Sequence, residues 1–201
     1  MSNIIVRHAD KNDDFISIAK CIYYTDPFIY PTAFGDDPDN AAKAIAVLMD
    51  VDQSILNYKN IYVATINNAI CGILLYNEDG AVWDTEKYYE LIKEFSADKV
   101  QFEYASNYYF IEESEKPAEN HIEIVAVCVS AEHRRKGIAN TIIKTFTEEK
   151  GHKILTLDVL ADNSSAIKTY EKAGFSATER YKGFGPSPDK RPDYYHMVRE
   201  I

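Results

Sequence analysis

The chain has 201 residues, of which 46% are hydrophobic and 27% charged, and its formal net charge is −10 at pH 7. This length and composition predict one globular domain over residues 1–201. The acidic balance argues against a nucleic-acid binder, because a phosphate backbone needs a basic face. No apolar run approaches the roughly 18 residues that span a bilayer, and the first residues lack the apolar segment of a signal peptide. We therefore expect a cytoplasmic protein without membrane partners.

The cysteine and histidine residues predict neither a disulfide framework nor a metal site. Cys21, Cys71 and Cys128 are an odd number without a Cys-x-x-Cys spacing, which favours free thiols in a reducing compartment. His121 and His133 have no further ligands at metal-binding spacing, so no metal is expected. Cys128 has no His or Asp at an activating spacing, so a structural thiol is a better interpretation than a covalent acyl-enzyme.

The first 76 residues are predicted to form a strand, two helices and a β-hairpin. A short β-type run covers residues 4–7, and helical spacing of apolar residues follows the cap-rich segment 10–14. Residues 30–40, dense in Pro, Gly and Asp, are predicted to be a loop before the second helix. The β-rich runs 61–66 and 70–76 flank two asparagines that tolerate the positive φ of a tight turn.

The remainder alternates strands and helices after an insertion at about 77–120, which is itself predicted to be helical. The later elements are expected at 121–130 (strand), about 135–150 (helix), 153–160 (strand), 163–175 (helix), 176–181 and 193–199 (strands). The first of these strands is apolar nearly throughout, which indicates that other elements cover both of its faces. This order predicts a mixed α/β layer fold.

A basic cluster, His133 to Lys136, precedes Gly137 where a predicted strand gives way to a helix. The first N–H groups of a helix lack internal partners, and the helix dipole adds positive potential there. Gly137 and Ala139 allow an anion to approach the backbone closely. Cations alone are unfavourable at a helix N-terminus, so the segment predicts a bound anion such as a diphosphate. A helix start that merely happens to be basic is the alternative. In either case His133 is expected at the rim.

The segment RRKGIA, Arg134 to Ala139, resembles the Arg/Gln-x-x-Gly-x-Gly/Ala acyl-CoA signature of the GNAT superfamily of N-acyltransferases. About thirty residues later, NSSAIKTYEKAGF resembles the second motif of that family, Asn-x-x-Ala-x-x-x-Tyr-x-x-x-Gly-Phe. The resemblance is sharp over residues 121–182 and looser over the first 76. It implies a GNAT-like fold, with a central, mostly antiparallel sheet, a splayed parallel pair of strands, and helices on both faces.

The resemblance also implies acetyl-CoA as cosubstrate. Unpaired backbone groups of the splayed strand are expected to bind the pantetheine arm, and the amides of Arg135 to Ala139 the pyrophosphate. The side chain of Asn163 is expected to bond the pantetheine or phosphate region. The full expected set is Val127, Cys128, Val129, Arg134, Arg135, Lys136, Gly137, Ile138, Ala139, Asn163 and Ala166.

In the implied reaction a neutral amine attacks the thioester directly, within a ternary complex. Tyr170, seven residues after Asn163, is expected to protonate the leaving thiolate; a tyrosine that only packs in the core is the alternative. Glu123, eleven residues before Arg134, is the candidate base, because burial in an apolar strand could raise its pKa. A solvent-facing Glu123, or a base acting through water, is the alternative there.

The insertion offers a hypothesis for the acceptor. Residues 76–119 hold twelve Asp and Glu against four Lys, together with ten aromatic residues, and such a surface suits a cationic amine. Core packing explains these aromatic residues better, and a homodimer face is a third interpretation. Among them are Trp83, Tyr88, Tyr89, Tyr104, Tyr108 and Tyr109. The Tyr-rich segment 28–34 is a second candidate wall for the acceptor.

The leading interpretation is transfer of acetyl from acetyl-CoA to a primary amine of a small molecule, with a cationic amine as a further hypothesis. Three alternatives stay open: a protein N-acetyltransferase, an acyl-CoA sensor without turnover, and an interaction protein whose basic helix start contacts an acidic partner. The presence of Tyr170 and Asn163 favours an enzyme over a sensor. The second motif disfavours the interaction protein.

Overall fold

The computed structural model describes residues 4–52, 54–78, 84–95, 97–109, 120–151, 153–185, 187 and 189–200, without the side chains of 108 and 109. Its strands are β1 (Ile4–His8), β2 (Ile61–Ile66), β3 (Ala69–Asn77), β4 (His121–Val129), β5 (Ile154–Leu160), β6 (Ser176–Lys182) and β7 (Asp193–Arg199). Its helices are α1 (Phe15–Tyr23), α2 (Ile29–Phe34), α3 (Pro38–Met49), α4 (Thr85–Ile92), α5 (Lys99–Tyr109), α6 (Ile138–Lys150) and α7 (Ser164–Lys172).

The seven strands form one sheet in the order β1-β2-β3-β4-β5-β7-β6. The pair β4–β5 is parallel and the other neighbouring pairs are antiparallel. One face is covered by α1 to α5, through a cluster that includes Ile18, Ile45 and Phe102. The other face is covered by α6 and α7, through Phe146 and Tyr170. The predicted mixed sheet with helices on both faces is therefore confirmed.

The prediction of a loop across residues 30–40 is wrong at both ends, because the second predicted helix, α3, begins at Pro38 and an additional helix, α2, begins at Ile29. A side chain outside the predicted loop explains the start of α2. Asp26 is the reason: its carboxylate accepts hydrogen bonds from the N–H groups of Phe28 and Ile29, both at 2.7 Å. This cap satisfies donors at the helix start. The side chains of Ile29, Tyr30 and Phe34 are buried, so packing holds the short helix in place.

The insertion contributes α4 and α5, which pack in the α1–α5 layer. Tyr88 and Phe102 are buried there, and Phe102 lies against Phe34, with ring centroids 6.0 Å apart. The prediction of a single domain over 1–201 stays a prediction. No helix within the described ranges is long and apolar enough to cross a membrane.

Strand β4 contains a bulge that decides which side chains face which helical layer. Leu75 of β3 pairs with Ala126, whereas the next residue, Tyr76, pairs with Ile124, so Val125 is the extra residue. Before the bulge, Ile122 and Ile124 face α6 and α7. After it, Ala126 and Cys128 face α1 instead. One strand thus packs against both layers, as its apolar sequence predicts.

The parallel pair is hydrogen-bonded over only half of its length. Residues His121 to Ile124 pair with Ile154 to Leu157, and the pairing ends there. Strand β4 continues to Val129 alongside β3, and β5 continues to Leu160 alongside β7. The two strands therefore splay apart, and a gap opens between Val125–Val129 and Asp158–Leu160.

Candidate functional site

The segment before α6 forms a concave backbone surface. Arg135 has a φ of 64° and Gly137 a φ of 80°, so both lie in the left-handed region. Successive N–H groups in such turns converge on one point and form an anion-binding concavity. The helix begins at Ile138, three residues later than predicted, because these two residues are not helical. A Cβ placed on Gly137 would meet no atom within 4 Å, so the surface is open.

Side chains around this concavity are held by local hydrogen bonds. Arg134 Nε donates to the carbonyl of Val129 at 3.2 Å, which ties the guanidinium to the end of β4. Ser130 Oγ and His133 Nδ1 lie 2.9 Å apart, in the turn that precedes the concavity. Arg135 and Lys136 are exposed. The side chain of Ile138 is buried under the helix, so this residue can offer a ligand only its backbone.

An open cavity of about 320 Å³ borders this concavity at Arg134 and Ala139 and extends along the splayed end of β4. It brings together eight of the residues expected at the site, namely Val127, Cys128, Val129, Arg134, Ala139, Asn163, Ala166 and Tyr170. The side-chain oxygen of Asn163 accepts from Ala166 N at 3.2 Å and caps α7, so its amide NH2 is the group suited to donate to a ligand. Arg135, Lys136, Gly137 and Ile138 do not line this cavity.

A second cavity, of about 170 Å³, occupies the gap between the splayed strands. Its walls come from Glu123 to Val127, Asp158 to Leu160, the α1–α2 segment, and the ends of β6 and β7. Both cavities are lined by Thr25, Val127, Asn163, Ala166 and Tyr170. They therefore adjoin beside Tyr170. We call the larger one the arm cavity, after the pantetheine arm that is expected along β4, and the smaller one the acceptor cavity, after the amine acceptor that is expected there.

Glu123 faces the acceptor cavity from the α1–α5 side of the sheet, because its neighbours Ile122 and Ile124 face α6 and α7. Burial raises the pKa of Glu123 to about 7, and the nearby Asp158 carboxylate adds to the rise. A hydrogen bond from Asn77, its partner on β3, and the charge of His196 oppose that rise. A carboxylate that titrates near neutral pH is suited to accept a proton.

Tyr170 reaches the junction of the two cavities from the opposite face, where its ring lies edge-on to Phe175 at 6.1 Å. Burial raises the pKa of Tyr170 to about 12, and the Cys128 thiol adds to it. The hydroxyl thus stays protonated at neutral pH and can donate. The expected acid and base lie on opposite sides of the gap.

Sequence reasoning missed Asp158, which lines the acceptor cavity, and His196, its partner on β7. His196 Nδ1 and Asp158 Oδ1 lie 2.9 Å apart across the β5–β7 pair. The signal available in the sequence was Asp158 itself, the one charged residue in the strand ILTLDVL. His196 gave no signal, because its role depends on β5 and β7 being neighbours.

A third missed residue is Asp26, in the wall of the acceptor cavity. Its Oδ2 accepts a hydrogen bond from the Tyr194 hydroxyl at 2.7 Å. The predicted acceptor wall at 28–34 contributes Ile29 and Tyr30 to the lining, although as a helix. Tyr181 and Phe184 complete the aromatic part of the wall.

The insertion reaches this site only indirectly in the described residues. Tyr104 of α5 contacts Phe184 of the cavity wall, with ring centroids 5.3 Å apart. Tyr89 packs on Phe102, and Glu86 pairs with Lys99 at 3.1 Å, away from the cavity. Trp83 and the side chains of Tyr108 and Tyr109 lie outside the described residues.

Cys128 contacts Cys21 of α1, and both thiols are buried. The hydrogen bond from Cys21 lowers the pKa of Cys128, and Arg134 acts in the same direction, while burial opposes the change. Cys21, Cys71 and Cys128 are all free thiols. Among the residues that the structure describes, no three His, Cys, Asp or Glu side chains are grouped as metal ligands.

Comparison with known proteins identifies relatives of this chain. A family model described as "Acetyltransferase (GNAT) family" matches residues 42–175. The L-amino acid N-acetyltransferase AaaT of Escherichia coli K12 is 26% identical over 93 residues, which are 44% of this chain and 57% of that protein. The catalytic subunit of the N-terminal acetyltransferase B complex of Saccharomyces cerevisiae is 32% identical over 99 residues, 46% of this chain and 51% of that protein. The chain thus spans about half the length of the curated relatives it matches.

Solved structures share the fold over nearly the whole chain. An N-acetyltransferase from Staphylococcus aureus Mu50 superposes with a TM-score of 0.70 at 19% identity, and the match covers 96% of this chain and 99% of that one. The NatC complex bound to Gag peptide and CoA gives a TM-score of 0.58 at 15% identity, covering 98% of each chain. At these identities the likeness extends to the fold alone.

Proposed function

Because the match over residues 42–175 places the chain in the GNAT acetyltransferase family, we propose that it transfers an acetyl group from acetyl-CoA to a primary amine. One observation carries the proposal: two cavities meet beside Tyr170, one leading to an anion-binding backbone turn and the other lined by Glu123. A two-substrate transfer needs two such sites with a shared point of reaction.

The arm cavity fits acetyl-CoA in its chemistry. The backbone N–H groups from Arg135 to Ala139 would hold the diphosphate, with Arg134 and Lys136 adding positive charge. The pantetheine arm would lie along Val127 to Val129, whose edge has no β5 partner. Since Ser130 N donates to Cys71 O on β3, alternation along β4 directs the polar groups of Val127 and Val129 toward the gap. Cys128, Asn163 and Ala166 complete the wall.

Acetyl transfer then needs two proton movements, and the site offers a group for each. Glu123 takes the proton of the attacking amine, and the C–N bond forms as the C–S bond breaks. Tyr170 donates its proton to the departing sulfur. The acceptor and acetyl-CoA must be bound together, because the attack is direct and no covalent enzyme intermediate is involved. Cys128 keeps a structural role.

The acceptor is proposed to be a small cationic amine. The charged residues that line the acceptor cavity in the described part of the chain are Asp26, Glu123 and Asp158, all acidic. Tyr30 and Tyr181 are among its aromatic walls. Carboxylates and aromatic faces favour ammonium groups through charge and cation–π contacts. The acidic character thus comes from the sheet and the α1–α2 segment rather than from the insertion.

A protein N-terminus is the second candidate acceptor. The match to a yeast subunit named as an N-terminal acetyltransferase favours it. The N-terminus of a peptide would bind in the same acceptor cavity, whose walls include the α1–α2 segment and the ends of β6 and β7.

The test is thiol release from acetyl-CoA with a panel of acceptors: a polyamine, an aminoglycoside, a neutral amine, an acidic amino acid, and a peptide with and without a blocked N-terminus. We expect the cationic small amines to react fastest. Faster reaction of the free peptide than of the polyamine would favour the second candidate. Acetyl-CoA binding without turnover of any acceptor would overturn the enzyme and favour a sensor.

A further inference from the structure

A row of three titratable side chains crosses the sheet beside the acceptor cavity. Glu123 on β4, Asp158 on β5 and His196 on β7 all project from the α1–α5 face. Glu123 pairs with Thr156 in the parallel register, so Asp158 lies two residues nearer to the splay. His196 is directly opposite Asp158, and Nδ1 and Oδ1 are 2.9 Å apart. The three groups are thus neighbours across three adjacent strands.

The surroundings leave these groups to act mainly on each other. Asn77 of β3 bonds Glu123 on the side away from Asp158. From the α1–α2 side the other charged group in the cavity is Asp26, which is engaged by Tyr194 and by two backbone N–H groups. Glu179 of β6 lies opposite His196 and raises the pKa of its imidazole, but by less than Asp158 does. All three groups are partly buried, and the exposed fraction of the side chain is 26% for Asp158 and 34% for His196.

We propose that Asp158 and His196 are positioning residues that set the basicity of Glu123 in the acetyl transfer. The inference rests on the proposed function, since Glu123 is the base there. The Asp158 carboxylate makes proton uptake by Glu123 more favourable. The imidazolium of His196 partly neutralises Asp158 and keeps Glu123 from being fully protonated at neutral pH. The pair thus holds the base near the operating pH, where a general base is most effective.

This arrangement predicts opposite effects from removing its two members. Asp158→Asn removes a negative charge, so Glu123 ionises more readily and the acidic limb of the pH–rate profile moves to lower pH. His196→Gln leaves Asp158 without its cation, so the limb moves to higher pH. Each shift should be about one pH unit, the scale expected for close charges in a partly buried site. A purely structural role would lower activity without moving the limb in opposite directions.

The experiment measures kcat/KM against pH for the wild type, Asp158→Asn and His196→Gln, with the fastest acceptor. Asp162→Asn is the matched control, because Asp162 is an exposed carboxylate in the turn after β5 that lines neither cavity. Shifts of opposite sign with an unmoved control support the proposal. Limbs that stay within a few tenths of a unit of the wild type, in folded variants, overturn it.

A second measurement does not depend on turnover. The imidazole of His196 is titrated by NMR in the wild type and in Glu123→Gln, with His196→Gln used to assign the signal. We expect the midpoint to fall in Glu123→Gln, because a carboxylate that favours the imidazolium is lost. An unchanged midpoint means that the two groups do not interact, and overturns the proposal. Absence of acetyl transfer by the wild type would instead overturn the proposed function itself, whatever the titration gives.

Discussion

The Tyr194 hydroxyl donates to Asp26 Oδ2 at 2.7 Å and so connects β7 to the α1–α2 segment in the wall of the acceptor cavity. Asp26 also caps α2 through two backbone N–H groups. One carboxylate therefore fixes both the start of a helix and the position of a wall residue. The contact joins residues that are 168 positions apart in the sequence.

Tyr194→Phe should weaken acceptor binding more than acetyl-CoA binding. The change removes a hydrogen bond to a charged group, worth about 1.5–3 kcal/mol, and loosens this part of the cavity wall. We expect the acceptor KM to rise by roughly tenfold, with the affinity for acetyl-CoA unchanged within about twofold. Steady-state kinetics and a binding titration check this. An equal loss of both affinities would mean that Tyr194 supports the whole fold rather than the wall of the acceptor cavity.

Glu123→Gln should change how stability depends on pH. The pKa of Glu123 is raised from 4.5 to about 7 in the folded protein, so between these values the native state binds more protons than the unfolded state. The free energy of unfolding therefore falls as pH rises through that window, by roughly 3 kcal/mol for this group. The variant should lose this part of the decline. Denaturant melts at pH 5 and pH 8 test it, with Glu94→Gln as the control that should follow the wild type, because Glu94 is exposed and lines neither cavity.

Tyr170→Phe should lower kcat by about 100-fold or more, because the leaving thiolate loses its proton donor. The ring packing on Phe175 is kept, so acetyl-CoA affinity and melting temperature should change little. Tyr58→Phe serves as control, since Tyr58 is partly buried against Phe15 and lines neither cavity. If the Tyr170→Phe variant had the same rate as the control, Tyr170 would only pack in the core and would not be the proton donor.

Gly72→Ala should destabilise the protein by about 1–3 kcal/mol through overpacking. A Cβ at this position would lie 2.9 Å from the carbonyl oxygen of Cys128 and 3.1 Å from Ile142 Cδ1. Gly72 is not among the residues with positive φ, so the substitution isolates packing from backbone strain. Urea denaturation measures the loss. Wild-type stability would mean that β4 yields to the extra methyl group.

Much of the fold was predictable because its signals are local. The apolar periodicity, the Asn67-Asn68 turn and the glycine after α6 each act within a few residues, and the structure confirms the elements that they predict. The helix α2 was missed because its cap, Asp26, lies outside the Pro- and Gly-rich segment that predicts a loop. Helical packing of Ile29 and Phe34 then outweighs that local signal.

The site residues that belong to a sequence motif were predictable, whereas those that are brought together by strand pairing were not. Arg134, Ala139, Asn163 and Tyr170 lie in two short motifs, and the structure brings them to one cavity. The pair of Asp158 and His196 depends instead on β5 and β7 being neighbours, which no sequence pattern reveals. The bulge at Val125 could not be predicted either. In a strand that is apolar on both faces, a change of register leaves the pattern of apolar residues unaltered.

The most direct test of the account is a calorimetric titration of the wild type, Gly137→Ala and Gly137→Glu with acetyl-CoA. Both variants share the strain of a side chain at a φ of 80°, whereas Glu alone adds bulk and negative charge at the proposed diphosphate site. We predict micromolar binding by the wild type, a loss of less than about tenfold for Ala, and a loss of about 100-fold or more for Glu. Equal affinity of the Glu and Ala variants, or no binding by the wild type, would contradict the placement of acetyl-CoA at the start of α6.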